Sequence, residues 1–140
     1  MSLEGTAPGV DKPSFEGWRG SGAILAVEDD EFSRTLIRRI LERYGFEVLE
    51  AADGREALAV FQGRPADIRA VLLDLTMPRL GGEETLRELR RIRPDVRVVL
   101  MSGHSEREVT SLLGGEIAGF VQKPFRMEQL LTILRRCLDR

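Results

Sequence analysis

Short apolar runs that alternate with segments of helical periodicity are the feature that most constrains the fold of this chain. The run Ala23–Val27 holds no polar side chain, as expected of a strand that is buried on both faces of a sheet. Similar runs predict four more strands, at residues 46–50, 70–75, 96–101 and 118–121.

A predicted helix follows each predicted strand. Apolar residues at helical spacing mark the first helix, which Gly45 ends: Phe32, Leu36, Ile37, Ile40, Leu41 and Tyr44. Asp30 and Asp53 have the side chain type that caps helix N-termini. The other helices are predicted at residues 57–61, 86–92, Glu106–Leu113 (a weak pattern ended by Gly114 and Gly115) and Met127–Leu138. Five strands alternating with five helices indicate an α/β fold with a doubly wound parallel sheet.

The length of 140 residues suits one domain with a hydrophobic core. Residues 1–22 are rich in Gly, Pro and Ser and show no apolar period, which predicts a flexible N-terminal linker. Phe15 and Trp18 are residues of this segment that could pack locally. We therefore expect a linker over residues 1–22 and a folded domain over residues 23–140.

Composition excludes several classes of function. The formal net charge is −2, so no basic field predicts direct binding to nucleic acid. The single cysteine, Cys137, excludes an internal disulfide bond and suits a reducing compartment. No apolar stretch approaches the roughly 18 residues of a membrane span, and no leader is typical of a signal peptide. We expect a soluble cytoplasmic protein that makes no membrane contact.

Polar residues of particular types stand where four of the predicted strands end. Glu28 and Asp29 follow the first strand, and Asp74 lies at the end of the third. Ser102 lies at the end of the fourth, and Lys123 just past the fifth. Because ligands of open parallel sheets bind outside the carboxyl ends of the strands, we expect these side chains to share one site.

These residue types suit the transfer of a phosphoryl group. Three carboxylates repel one another, and a hard divalent cation such as Mg²⁺ makes their meeting tolerable. One of them, Asp74, can act as a nucleophile that forms an acyl phosphate. Lys123, the Ser102 hydroxyl and backbone N–H groups can then bind the charged phosphoryl oxygens. Only Lys12 and Lys123 among the 21 basic residues are lysines. In a chain that otherwise uses arginine, Lys123 places a compact point charge at the carboxyl ends of the strands.

Each of these residues alone has an ordinary structural explanation. The acidic run at residues 28–31 favours a helix N-terminus through the helix dipole. Asp74 alone is typical of a turn at the end of a strand, and so are Ser102 and Gly103. The order and the joint placement of these residues at successive strand ends favour the functional interpretation.

From about Ala23 to Leu138 the chain resembles the receiver domain of two-component response regulators. The resemblance lies in ILAVEDD (residues 24–30), VLLDLTMP (71–78), Gly82, VLMSG (99–103) and FVQKPF (120–125). It implies a flavodoxin-like (βα)5 fold with the strand order 2-1-3-4-5.

The resemblance also implies roles at the site. Asp74 corresponds to the phosphoacceptor. Glu28 and Asp29 correspond to the acidic pair that binds Mg²⁺ (or Mn²⁺) together with Asp74, with Asp29 as a direct ligand and Glu28 acting through water. Thr76 would offer its backbone carbonyl to the metal. Glu28 stands where Asp is commoner in the family.

Further positions correspond to the switch of the family. Ser102 resembles the hydroxyl that closes on the phosphoryl group, Lys123 the phosphate-binding lysine, and Phe120 the aromatic residue that turns inward on activation. Thr76 and His104 lie where the family tunes the lifetime of the aspartyl phosphate. We expect His104 to affect autodephosphorylation.

A receiver takes part in phosphorelay signal transduction. The resemblance implies phosphoryl transfer from a histidine kinase or phosphotransfer domain, and self-association through the face between the fourth and fifth helices. The lead-in around Trp18 and the loop at residues 102–106 resemble those of receivers at the C-terminus of hybrid sensor histidine kinases. Such a domain is not an enzyme, beyond assisting its own phosphorylation and slow autodephosphorylation.

Two other functions remain open from the sequence. A phosphatase of the haloacid dehalogenase type also forms an aspartyl phosphate with Mg²⁺, but position 76 is Thr where that family needs a second Asp as general acid. A degenerate receiver would signal without phosphate, although the residues at all the chemical positions are competent.

Overall fold

The computed structural model describes residues 15, 17–76, 81–113 and 117–139. These residues form five strands and five helices in strict alternation. The strands are β1 (Ala23–Val27), β2 (Glu47–Ala51), β3 (Ile68–Asp74), β4 (Val98–Ser102) and β5 (Gly119–Gln122). The helices are α1 (Glu31–Arg43), α2 (Gly54–Gly63), α3 (Gly82–Ile92), α4 (Glu106–Leu113) and α5 (Met127–Leu138). No helix among the described residues is long and apolar enough to span a bilayer.

The five strands pair in parallel in the order β2-β1-β3-β4-β5. The predicted α/β class and the strand order implied by the family resemblance are therefore confirmed. β1 and β3 lie inside the sheet, and every residue of β1 is buried, which explains its lack of polar side chains.

Alternate residues of the central strands face two separate core layers. Ile24 of β1 and Leu72 of β3 pack with Ile37 of α1 and Leu134 of α5. Their neighbours along the strands face the opposite layer, which also contains residues of α2, α3 and α4. Both faces of the sheet are thus covered, as in a doubly wound fold.

Local capping explains where several helices begin and end. Asp30 and Asp53 accept backbone hydrogen bonds from the first turns of α1 and α2, which confirms both predicted caps. Gly45, with φ of 98°, ends the first helical segment as predicted, because glycine adopts this left-handed conformation without strain. Reciprocal capping at the N-terminus supports α4, whose apolar pattern is weak. The hydroxyl of Ser105 accepts from the backbone of Glu108, whose carboxylate accepts from Ser105 in return.

The apolar face predicted for α1 is wider than the face that the core covers. Ile37 and Leu41 are buried, whereas Phe32 is 72% exposed and Leu36 is 39% exposed. These two residues extend to the solvent side, so helical spacing alone overestimates their burial. β1 has the predicted bounds, and the ends of the other four strands differ from the prediction by one or two residues. The predicted stop at Gly114 and Gly115 lies outside the described residues.

Residues just before β1 pack against the core instead of extending freely. Phe15 is buried, and the Trp18 ring lies 5.6 Å from the Tyr44 ring and 5.8 Å from the Phe46 ring, centroid to centroid. The guanidinium of Arg135 on α5 lies 5.4 Å from the centre of the Trp18 ring. Phe15 and Trp18 thus pack against the domain, as we considered from the sequence, and the division into a linker and a domain at residue 22 stays a prediction. Aromatic burial outweighs the Gly-rich composition there.

Replacing Trp18 with Ala should destabilise the domain, because it removes the ring that joins the lead-in to the turn between α1 and β2 and to α5. We expect a loss of about 1–3 kcal/mol in the free energy of unfolding, less than for a fully buried Trp. Urea unfolding followed by circular dichroism measures it. Phe32→Ala is the control, since it removes an exposed ring and should change stability by no more than about 0.5 kcal/mol. Equal stability of Trp18→Ala and wild type would contradict this packing.

Candidate functional site

Three carboxylates meet at the carboxyl edge of the sheet. Glu28 and Asp29 follow β1, and Asp74 is the last residue of β3. One oxygen from each of these side chains lies within 4.8 Å of the others. The sheet therefore brings the predicted acidic residues together, because the ends of neighbouring parallel strands coincide.

Lys123 bridges two of these carboxylates. Its Nζ lies 2.9 Å from Oε1 of Glu28 and 3.2 Å from Oδ2 of Asp74. Glu28 and Asp74 are each only 1% exposed, so their charges are poorly solvated and the ammonium is their main compensation. Burial lowers the pKa of Lys123, but the hydrogen bond to Glu28 and the charges of Asp74 and Glu28 outweigh it and hold the pKa above its ordinary value.

The backbone around Asp74 holds its carboxylate in place. Oδ1 of Asp74 accepts a hydrogen bond of 3.0 Å from the N–H of Thr76. The next residue, Leu75, donates to the carbonyl of Met101 at 3.0 Å. A Cβ atom on Gly82 would lie 2.5 Å from Cα of Leu75, so only glycine lets the start of α3 approach this loop so closely.

Glu28 uses both carboxylate oxygens within the site. Oε1 contacts Lys123, and Oε2 accepts from the N–H of Asp30 at 3.2 Å. The side chain of Asp29 is exposed, and among the described residues no hydrogen bond or ion pair holds its carboxylate. Asp29 thus presents the most accessible acidic group of the site.

Ser102 joins the ends of β4 and β5. Its side chain is buried, and its Oγ accepts a hydrogen bond of 3.0 Å from the N–H of His104. Its carbonyl accepts one of 2.7 Å from the N–H of Lys123. The peptide bond between Lys123 and Pro124 is cis.

The side chains of three predicted residues are not part of the acidic cluster of Glu28, Asp29 and Asp74. Phe120 pairs with Leu100 in the sheet and is half-buried against the layer of α2, α3 and α4. The side chains of Thr76 and His104 are exposed, and their backbone N–H groups make the contacts with Asp74 and Ser102. The roles expected for these three residues stay predictions.

Arg34 contacts the site but was not among the predicted residues. Its guanidinium donates to the backbone carbonyl of Glu28 at 2.8 Å. The sequence offers no means of separating Arg34 from Arg38 and Arg39 on the same helix, because the acceptor is a backbone atom rather than a complementary side chain.

The charges of the site fit a divalent cation. Three carboxylates and one ammonium leave a formal charge of −2, and Mg²⁺ prefers a small number of carboxylate ligands plus water. The exposed Asp29 and the buried Asp74 supply two neighbouring carboxylates of this kind. These residues therefore suit Mg²⁺.

Fold and site together define a flavodoxin-like α/β protein with an acidic pocket and a lysine at the strand ends. The family model of the response regulator receiver domain matches residues 24–135, and the chain belongs to this family. Receiver domains are signalling domains of two-component systems rather than classical enzymes. They interact with histidine kinases or phosphotransfer proteins and bind Mg²⁺ at an acidic pocket. The phosphatase alternative is thereby set aside.

Known relatives differ in how much of their length the chain covers. Sensor kinase CckA of Brucella abortus (strain 2308) is 35% identical over 122 residues, which are 86% of this chain and 13% of that protein. Chemotaxis protein CheY of Bacillus subtilis (strain 168) is 30% identical over 118 residues, 83% of this chain and 97% of that protein. The crystal structure of a CheX–CheY–BeF3–Mg complex from Borrelia burgdorferi has a TM-score of 0.75 at 26% identity and covers 88% of this chain and 92% of that chain.

The raised pKa of Lys123 can be measured directly, because the chain contains only two lysines. We expect the 13Cε signal of Lys123 to titrate at higher pH in the folded protein than in urea. The ion pairs then stabilise the folded state at neutral pH, and this contribution is lost as pH rises through the folded-state pKa. Lys12→Arg assigns the two signals. Titration of Lys123 at or below its pH in urea would show that burial outweighs the two carboxylates.

Proposed function

We propose that this domain accepts a phosphoryl group onto Asp74 from a phosphohistidine donor and thereby switches an interaction surface. The observation that carries the proposal is the buried Asp74 carboxylate, held by the Thr76 N–H on one oxygen and by Lys123 on the other. A carboxylate oxygen forms a bond to phosphorus as the phosphorus–nitrogen bond of the donor breaks. The products are an aspartyl phosphate and the imidazole of the donor.

The metal site of the proposal consists of Asp29, Asp74 and the carbonyl of Thr76, with Glu28 acting through water. The engagement of both Glu28 oxygens by Lys123 and Asp30 supports an indirect role for Glu28. The Borrelia burgdorferi complex contains Mg²⁺ and BeF3, which favours Mg²⁺ for this chain as well, and Mn²⁺ has similar ligand preferences. When bound, the cation neutralises charge on the transferred phosphoryl oxygens.

Lys123 and Ser102 would bind the other phosphoryl oxygens. Lys123 already contacts the Asp74 oxygen, so it can follow the negative charge from the carboxylate to the phosphoryl group. The Ser102 oxygen accepts from the His104 N–H and keeps its own proton available for donation. Thr76 and His104 flank these groups, which supports our prediction that they tune the lifetime of the phosphate.

The output of the proposal runs from Ser102 to Phe120. Movement of Ser102 toward the phosphoryl group would displace the end of β4, whose Leu100 pairs with Phe120. A turn of the half-buried Phe120 ring would then alter the face between α4 and α5, where we place self-association. The proposal also includes an origin of this domain in a hybrid sensor kinase. The chain spans 13% of sensor kinase CckA and half of the response regulator MprA that it matches.

Incubation with Mg²⁺ and acetyl phosphate, followed by intact-mass measurement, tests the acceptor. We expect one phosphoryl adduct on the wild type and none on Asp74→Asn, because the amide is not a nucleophile of this kind. The adduct should be stable in acid and labile in base. Removing one of three crowded carboxylates should also raise the thermal midpoint of the metal-free protein.

Asp67→Asn is the matched control, since Asp67 is an exposed acid that pairs with Arg64 and precedes the opposite end of β3 from Asp74, and it should keep the adduct. An adduct that persists in Asp74→Asn would overturn the assignment of Asp74. A wild type without an adduct would favour a receiver that signals without phosphate, and turnover of a phosphomonoester would revive the phosphatase alternative.

The donor surface of the proposal is an apolar groove beside the acidic site. A cavity of about 490 Å³ is lined by Glu28, Lys123, Phe125, Leu36 and Ile37, among others. The exposed ring of Phe32 lies on the same helix as Leu36. Because the groove reaches Lys123, a protein seated on it can bring a phosphohistidine to Asp74, and the occupant that we propose is the helical surface of a kinase or phosphotransfer domain.

Phe32→Ser should slow phosphoryl transfer from a protein donor by roughly tenfold or more, because the contact of one aromatic ring is lost. Phosphotransfer profiling against purified, autophosphorylated histidine kinases identifies the fastest donor and then measures the change. Phosphorylation by acetyl phosphate should be unaffected. Leu112→Ser is the control, since Leu112 is 73% exposed but lies on α4. Equal slowing with both donors would contradict docking at Phe32.

A further inference from the structure

Arg34 of α1 connects three elements around the acidic site. Its Nη1 donates to the carbonyl of Glu28 at 2.8 Å, and its Nε donates to Oε1 of Glu50 in β2 at 3.1 Å. The side chain is only 17% exposed. We propose that Arg34 is a positioning residue that fixes the backbone between Glu28 and Asp30 and so places Asp29 for binding of a divalent cation. The inference rests on the proposed function.

The peptide groups of Glu28 are held from both sides. Its N–H donates to the carbonyl of Ala51 at 3.0 Å, which continues the pairing of β1 with β2 by one residue. Its carbonyl accepts from Arg34. Two residues later the N–H of Asp30 is bound by the Glu28 carboxylate, and the Asp30 side chain caps α1. The backbone on either side of Asp29 is therefore fixed.

Asp29 itself depends on that backbone. Its side chain is exposed, and within the described part of the chain no hydrogen bond or ion pair orients its carboxylate. The carbonyl of Glu28 and the N–H of Asp29 belong to the same planar peptide unit. Loss of the Arg34 bond would free this unit to rotate and would move the Asp29 carboxylate relative to Asp74.

The charge of Arg34 is offset by Glu50. Glu50 pairs with Arg34 at 3.1 Å and with Arg38 at 3.0 Å. A guanidinium near a cation site repels the cation, so removal of its charge alone would tighten Mg²⁺ binding. Removal of a positioning contact would instead weaken Mg²⁺ binding. The direction of the change thus separates the two roles.

Titration of the full chain with Mg²⁺ by calorimetry tests the inference. We expect Arg34→Gln to weaken Mg²⁺ binding by roughly three- to thirtyfold, as for the loss of a hydrogen bond to a charged donor. Arg38→Gln is the matched control, since Arg38 shares Glu50 but, among the described residues, makes no hydrogen bond or ion pair with Glu28, and it should bind Mg²⁺ as wild type does. Arg34→Lys keeps the charge with a single donor site and should give an intermediate loss.

Amide hydrogen exchange without metal supplies the second readout. Exchange at Asp29 and Asp30 should become faster in Arg34→Gln and stay unchanged in Arg38→Gln. Unchanged or tighter Mg²⁺ binding in Arg34→Gln, or unchanged exchange at these two amides, would overturn the positioning role.

The two proposals fail in different ways. A wild type that does not bind Mg²⁺ would overturn the proposed metal site, and the exchange comparison would still decide whether Arg34 holds the acidic loop. If circular dichroism shows that Arg34→Gln does not fold, the comparison of Arg34→Lys with Arg38→Lys answers the same question with charge held constant.

Discussion

The ion pairs of Lys123 with two buried carboxylates are the interaction on which the rest of the site depends. Removing charged groups from water is costly, and Glu28 and Asp74 are almost wholly buried, so their proximity is tolerable because an ammonium lies between them. Asp29 adds a third negative charge. The metal-free site therefore keeps an excess of negative charge, and a divalent cation would relieve it.

The fold couples the charge balance of this site to the positions of neighbouring strands and helices. Ser102 and Lys123 are joined by a backbone hydrogen bond of 2.7 Å, so β4 and β5 cannot shift at this edge independently. Asp74 is bound through its own carboxylate to the Thr76 N–H, and Gly82 brings α3 against the same loop. A new charge on Asp74 would thus act on β4, β5 and α3 together, since these elements cannot move independently at this edge. Such coupled movement is the condition for a two-state response.

The predictability of these features from sequence follows from the range of the interactions involved. β1 and β3 were predictable because burial on both faces demands apolar runs, and the meeting of Asp74 with Lys123 followed from parallel pairing. The exposure of Phe32 was not predictable, since periodicity defines a face but not how far the neighbouring elements cover it. Packing of Trp18 was considered from the sequence, but its partners Tyr44 and Phe46 were not identified, because they lie more than twenty residues away along the chain. Arg34 was missed because its acceptor at Glu28 is a backbone carbonyl.

The Glu28 side chain is long enough to contact both Lys123 and the backbone of Asp30. One oxygen reaches Lys123 at 2.9 Å while the other accepts from the Asp30 N–H at 3.2 Å. An aspartate has one methylene fewer, so from the same backbone it could not hold both partners in this geometry. Glu28 thereby links the start of α1 to the loop after β5. Since Arg34 holds the carbonyl of the same residue, the side chain and the backbone of Glu28 together fix the position of Lys123 relative to Asp29.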